Sequence, residues 1–168
     1  MAAGLTYESI ATTTLGSATA TVTFSSISGS YTDLVLVCNI AQVASNNSFR
    51  YRINGDTGSN YSYTSLLGDG TSATSPRDND QTSGLVYATG STTIVTNYIV
   101  QFMNYSNATT YKTVLGLGNR ASGEVSADVS LWRNTAAITS ISLAMGGTFP
   151  TNNFTTGSTF TLYGIAAA

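Results

Sequence analysis

A chain of 168 residues with 8% charged residues and a net charge of -2 is long enough for one self-sufficient core. It has six Lys and Arg residues and so cannot neutralise a phosphate backbone, which excludes nucleic acid as a partner; histidine is absent, which removes imidazole acid–base chemistry and zinc sites of the Cys/His type. Ser and Thr number 50, yet ten Tyr, six Phe and abundant Val and Ile argue for an ordered β-protein rather than disorder.

The N-terminal Met1-Ala-Ala-Gly-Leu5 has neither a basic nor an apolar signal region, so no secretory routing and no shaft anchor are expected from it. No run approaches the ~20 apolar residues of a membrane span. Apolar residues recur with a period near two, and Gly, Asn, Ser and Asp clusters break the chain at short intervals. The expected fold is therefore all-β: a single antiparallel β-sandwich domain over residues 1–168, jelly-roll-like, with about 8–10 strands and no substantial helix.

In chain order, strands are expected at 6–14 and 18–24, the second turning Ala18, Ala20, Val22 and Phe24 inward. Residues 31–40 are apolar on both alternations, which predicts a central strand covered on both faces. Cys38 lies among its apolar residues and reads as a small buried side chain. After a polar break at 44–48, residues 49–53 alternate, with Phe49, Tyr51 and Ile53 inward and Arg50 and Arg52 outward. The Gly-rich stretch 54–60 makes a turn into a strand at 61–67. Residues 68–82 read as a long irregular loop that carries Asp69, Pro76, Arg77, Asp78 and Asp80, the expected contact segment together with the N-terminal residues. Further strands are expected at 85–89, 94–105, 110–117, 124–132, 138–145 and 159–165. In 124–132 the apolar Val125, Ala127, Val129 and Leu131 are placed inward, and Ser126, Asp128, Ser130 and Trp132 outward.

The eight carboxylates, from Glu8 to Asp128, fall mostly in turns or at strand edges, not in the apolar settings that perturb catalytic acids. No enzymatic activity and no cofactor are expected. Gly116-Leu-Gly-Asn-Arg-Ala121 matches the dinucleotide pattern Gly-x-Gly-x-x-Ala, but a strand rather than a helix follows, so the glycines read as turn residues. Asp69, Asp78 and Asp80 could supply oxygen ligands to Ca²⁺, although Asp-Asn-Asp is also ordinary turn chemistry. Tyr61, Tyr63, Tyr105 and Trp132 are expected to be exposed aromatics. Trp132, alternating out of the Val125–Leu131 face, reads as lying either in a second packed layer or at a subunit contact, and with Arg133 as an interface pair or a local cation–π contact. The candidate interface is Arg50, Arg52, Tyr61, Tyr63, Arg77, Asp78, Asp80, Trp132 and Arg133, with the Arg50/Arg52 pair suited to a salt-sensitive contact.

Several segments taken together carry a resemblance. They are Tyr31-Thr-Asp-Leu-Val-Leu-Val37, Arg52-Ile-Asn-Gly-Asp-Thr-Gly-Ser-Asn-Tyr-Ser-Tyr63, Leu67-Gly-Asp-Gly70, Asn104-Tyr-Ser106, Asn134-Thr-Ala-Ala-Ile-Thr-Ser-Ile-Ser-Leu143 and Ser158-Thr-Phe-Thr-Leu-Tyr-Gly-Ile165. In this order the set resembles small virion structural proteins of tailed bacteriophages, those of cyanobacterial phages among them. The resemblance implies a jelly-roll-type β-sandwich that assembles as a homotrimer and has no catalytic residues. Two stations in the particle are compatible with it. One is a capsid decoration (cement) protein made in the host cytoplasm and bound to the major capsid protein or other virion proteins at the capsid surface. The other is a tail-fibre or tail-tip module that binds a host surface glycan through loop aromatics.

Overall fold

The period-two patterning becomes strand along most of the chain. The structure, a computed structural model, describes residues 6–41, 43, 47–121 and 123–166. Among the described residues there are thirteen strands and no helix. They are β1 Tyr7–Thr14, β2 Thr21–Phe24, β3 Asp33–Ile40, β4 Ser48–Ile53, β5 Tyr61–Gly68, β6 Ala73–Thr74, β7 Arg77–Gln81, β8 Gly84–Thr89, β9 Thr96–Phe102, β10 Lys112–Arg120, β11 Glu124–Trp132, β12 Ile141–Met145 and β13 Thr159–Ile165. The expected irregular loop at 68–82 is not irregular. It folds back on β5 as β6 and β7, which is one reason the strand count exceeds ten.

All pairings are antiparallel, and the strands form two sheets packed as a sandwich. The large sheet runs β1-β13-β3-β9-β10-β11-β5-β6, with β7 also paired to β5; the small sheet runs β2-β12-β4-β8. The expected sandwich is thus observed, divided nine strands against four. The core lies between the sheets. Leu34, Leu36, Cys38 and Ile40 of β3 and Tyr98, Val100 and Phe102 of β9 face Phe49, Tyr51 and Ile53 of β4 and Ile141, Leu143 and Met145 of β12. Phe49 stacks on Tyr98 at 4.6 Å between ring centroids, and Tyr51 meets Phe102 edge-on at 5.4 Å. Such ring pairs add about 0.5–1.5 kcal/mol each beyond the area they bury. Cys38 is fully buried, and burial pushes its thiol pKa well up. The strand β3 is central in its sheet, between β13 and β9, but it is not covered on both faces: Val37 on the second face is 39% exposed. That second face is the outside of the sandwich.

The glycines at 116 and 118 are not turn residues. They lie in β10 on the face toward β8. An added Cβ at Gly116 would come 2.7 Å from Val86, and one at Gly118 2.7 Å from the Ala88 methyl carbon. The dinucleotide-like spacing therefore records a close approach between sheets. Gly118→Ala is expected to destabilise the fold by about 1–3 kcal/mol through overpacking. A urea-unfolding midpoint equal to that of the wild type would contradict this approach.

Candidate functional site

The strands β11 and β8 show how the site surfaces arise. β8 is an edge strand of the small sheet, so one row of its backbone groups has no strand neighbour. The side chains of β11 in the other sheet take that place. Glu124 accepts a hydrogen bond from the Thr89 amide, and Ser126 Oγ accepts one from the Ala88 amide at 3.0 Å. Asp128 Oδ1 accepts one from the Tyr87 amide at 3.1 Å, and Ser130 Oγ donates to the Leu85 carbonyl at 3.3 Å. Asp128 is further held by the hydroxyls of Ser65 and, at 2.7 Å, Ser126. Burial pushes the Asp128 carboxyl up, and these three donors offset only part of that rise.

This ladder inverts the expected phase of β11. Ser126, Asp128 and Ser130 are buried, while Val125 is 57% and Val129 45% exposed. The expectation followed hydrophobicity, but the inner face of β11 has an edge to satisfy, and only polar side chains can satisfy it. Trp132 belongs to the same phase and is 1% exposed rather than outward.

Trp132 anchors a corner built by the 54–60 turn. Asn54 and Gly55 both have positive φ, and the Asp56 amide closes the turn on the Ile53 carbonyl at 2.9 Å. This takes the chain from β4 in one sheet to β5 in the other. The Asp56 carboxylate then collects Trp132 Nε1 at 2.7 Å, Asn60 Nδ2 at 2.8 Å and the Gly58 amide at 2.8 Å. Desolvation pushes the Asp56 carboxyl up, but these hydrogen bonds, with the Arg52 charge, outweigh it and hold the carboxyl below its usual range. Tyr61 is also fully buried, not exposed. Its hydroxyl accepts the Ile53 amide at 3.0 Å, and its ring stacks on Trp132 with centroids 6.5 Å apart. Tyr105 is fully buried too, and its hydroxyl donates to the Ser28 carbonyl. Arg133 turns from the corner to the surface. Its guanidinium donates to the Ser59 carbonyl at 2.7 Å and to Asp80 at 2.8 Å, so it pairs with β7 and not with the Trp132 ring.

The two arginines of β4 serve the fold more than they face solvent. Arg50 is 9% exposed and donates to the Gly146 carbonyl at 2.8 Å and to Ser83 Oγ at 3.0 Å. Desolvation lowers its pKa. Arg52 donates to the Thr82 carbonyl at 3.0 Å and stacks over the Phe149 ring at 4.4 Å. The expected salt-sensitive pair is therefore largely committed to local contacts. The sole lysine, Lys112, is also buried, its ammonium on the Thr110 and Thr135 carbonyls at 2.7 and 3.0 Å, and desolvation lowers its pKa. Arg77 is exposed, and its guanidinium makes no hydrogen bond or ion pair among the described residues.

The three carboxylates weighed for Ca²⁺ point to separate partners. Asp69 caps its own turn, accepting from the amides and hydroxyls of Thr71 and Ser72, and these bonds hold its pKa far below the usual range. Asp78 accepts from the Asn79 amide and Gln81 Nε2, and Asp80 pairs with Arg133. Among the described residues no group of three or more His, Cys, Asp or Glu is placed to hold a metal ion. Tyr63 is half-buried beside Tyr87, with ring centroids 6.4 Å apart. The N-terminal contact segment expected at residues 1–5 lies outside the described residues, as does most of the 44–48 break.

The surface that the inverted phase creates is the outer face of the large sheet. Ile99 is 46% exposed, Leu117 52% and Leu66 64%. The register places Val37, Ile99, Leu117, Ala127 and Leu66 in one row across five strands, and Gln101, Leu115, Val129 and Thr64 in the next. Leu115 is likewise exposed. These are the residues that sequence reasoning missed as a site. The signal was present in Trp132, the bulkiest side chain of β11, which shares its phase with Ser126, Asp128 and Ser130. No family model matches this chain, and neither does any curated protein.

Proposed function

We propose that this chain is a structural protein of a tailed-bacteriophage virion, a capsid decoration protein that binds the outside of the head and stabilises it. One observation supports this reading most directly: a contiguous, apolar, uncharged sheet face in a chain with 8% charged residues. Contiguous exposed apolar surface of this kind marks an interaction site, and the chain has little charge with which to keep a free monomer dispersed. A rigid part covered by neighbours in an assembly is the natural home for it. The sequence segments that resemble phage virion proteins point the same way. A decoration protein gains affinity from many weak contacts repeated over a lattice, which requires rigidity and not chemistry. The alternative of a glycan-binding tail module has less support in the geometry. Of the aromatics it would use, Tyr61, Tyr105 and Trp132 are buried.

Particles that lack this protein are expected to assemble and remain infectious but to lose DNA at a lower temperature than complete particles. Adding purified protein back is expected to restore the heat resistance. Unchanged heat and osmotic resistance, or a copy number that matches the tail rather than the head lattice, would refute the decoration reading.

A further inference from the structure

The outer face of the large sheet is complementary to itself. Seven strands, β1-β13-β3-β9-β10-β11-β5, lie side by side in it, each of seven to nine residues. The part centred on the boundary between β10 and β11, from β3 across to β7, is six strands wide; with strands about 4.8 Å apart and a rise of about 3.4 Å per residue it measures roughly 24 by 27 Å. That lies within the range of about 600–1,000 Å² per partner of a standard stable interface. Its centre is apolar and its margins are polar, the anatomy of a protein–protein interface. The charged residues whose strand phase puts them on the face itself, Asp33 and Arg77, stand at its margins toward one end. Asp33 stands on β3, holding Gln101 Nε2 at 2.8 Å and the Asn104 amide at 2.6 Å. Arg77 stands five strand positions away on β7, in a depression that it lines with Thr64, Thr113 and Val129.

We propose that a second copy of this chain covers this face, in a two-fold dimer whose axis runs along the strands between β10 and β11. Rotation about such an axis lays β10 over the partner's β11 and β9 over the partner's β5, with position along the strand unchanged. The rows then match. Leu117 comes over Ala127, Leu115 over Val129 and Ile99 over Leu66, because each pair already shares a cross-strand row in the single chain. Leu117 over Ala127 sets a large side chain against a small one, as interdigitating sheets require. The same rotation brings Asp33 to the partner's Arg77 side, twice per dimer, so the two marginal charges compensate each other. A closed pair uses the face once on each subunit, as isologous contacts do. A trimer would leave this flat face unmatched. The inference stands independently of the phage reading.

The purified 168-residue chain is expected to sediment at twice its 17.4 kDa mass at micromolar concentration. Leu117→Lys, which adds a charge at the centre of the contact, is expected to weaken association at least 100-fold while leaving the circular dichroism spectrum and melting cooperative. A second test does not depend on the tolerance of a lysine. In the double variant Ile99→Cys/Leu66→Cys the two thiols lie three strands, about 14 Å, apart within a chain, yet face each other across the roughly 10 Å between packed sheets in the dimer, beyond the reach of a disulfide but within that of a short bis-maleimide. A bis-maleimide with a spacer of about 8 Å is expected to give a covalent dimer of the double variant and little from either single variant. A monomer or a trimer in sedimentation would overturn the proposal. So would a folded Leu117→Lys variant that stays dimeric, or cross-linking no better in the double variant than in the singles.

Discussion

Replacing Trp132 with alanine is expected to remove about 3–5 kcal/mol of stability, the cost of emptying a buried aromatic site. That is a large part of the roughly 5–15 kcal/mol that holds a typical domain. Two losses act at once. The ring leaves a hole beside Tyr61, and Asp56 loses the Nε1 donor at 2.7 Å. Trp132→Phe separates them, since it keeps most of the volume and removes the donor. Its cost is expected near 1–3 kcal/mol, the range for a charge-assisted hydrogen bond. Urea unfolding of the two variants measures both. If Trp132 were a surface contact, alanine there would shift the midpoint by no more than a few tenths of a kcal/mol, and that outcome would show the inverted phase of β11 to be wrong.

Asp128→Ala is expected to cost roughly 2–4 kcal/mol, because the Tyr87 amide and two hydroxyls lose their acceptor in a buried setting. Asp128→Asn should cost less than about 1 kcal/mol. Its carbonyl oxygen can keep the Tyr87 amide, its amide can donate to a serine oxygen, and no charge is left to desolvate. The pH dependence separates the two effects. The folded pKa of Asp128 is raised, so its ionised form is held at a cost, and that cost is relieved as pH falls through the raised value. Asp56 has the opposite sign: its folded pKa is lowered, and its contribution, present above the unfolded value, is lost as pH falls toward the folded one. The Asp128→Asn variant should thus keep the acid loss and lack the relief: as pH falls from the raised Asp128 value to the ordinary carboxylate range the wild type gains stability that the variant does not, and below that range both lose it in parallel. A stability profile parallel to that of the wild type would mean that Asp128 does not titrate differently on folding.

The parts of the fold that were legible in the sequence are those where period two has one cause. In β4, Phe49, Tyr51 and Ile53 alternate with polar residues because one side is core. In β9, Tyr98, Val100 and Phe102 turn to the same core, but the exposed Ile99 breaks the polar alternation of the other face. The strand at 159–165 is legible to the residue for the same reason, and the bounds of 124–132 match to the residue although its phase does not. The phase of β11 was not legible, because alternation states that two faces differ and not which one is covered. There an unsatisfied sheet edge outweighed hydrophobicity and drew Ser126, Asp128 and Ser130 inward. Once that phase is inverted, the candidate site follows it: Trp132 and Tyr61 leave the surface, and Val125, Val129 and Leu117 arrive there. Arg50 escapes the pattern for a related reason. A charge on the outer side of a strand need not be solvated when Gly146 and Ser83 lie over it.

The side chains of β11 that close the edge of β8 have a mechanical consequence. Apolar side chains between packed sheets interdigitate and already resist sliding; hydrogen bonds between the layers add a directional lock. Here the layers are pinned. A slide of one layer by about 3.4 Å along β11 would carry Ser126, Asp128 and Ser130 out of reach of the Ala88 and Tyr87 amides and the Leu85 carbonyl and break those bonds. The two sheets therefore behave as a riveted laminate that resists shear in its own plane, a property on which the proposed decoration role would draw.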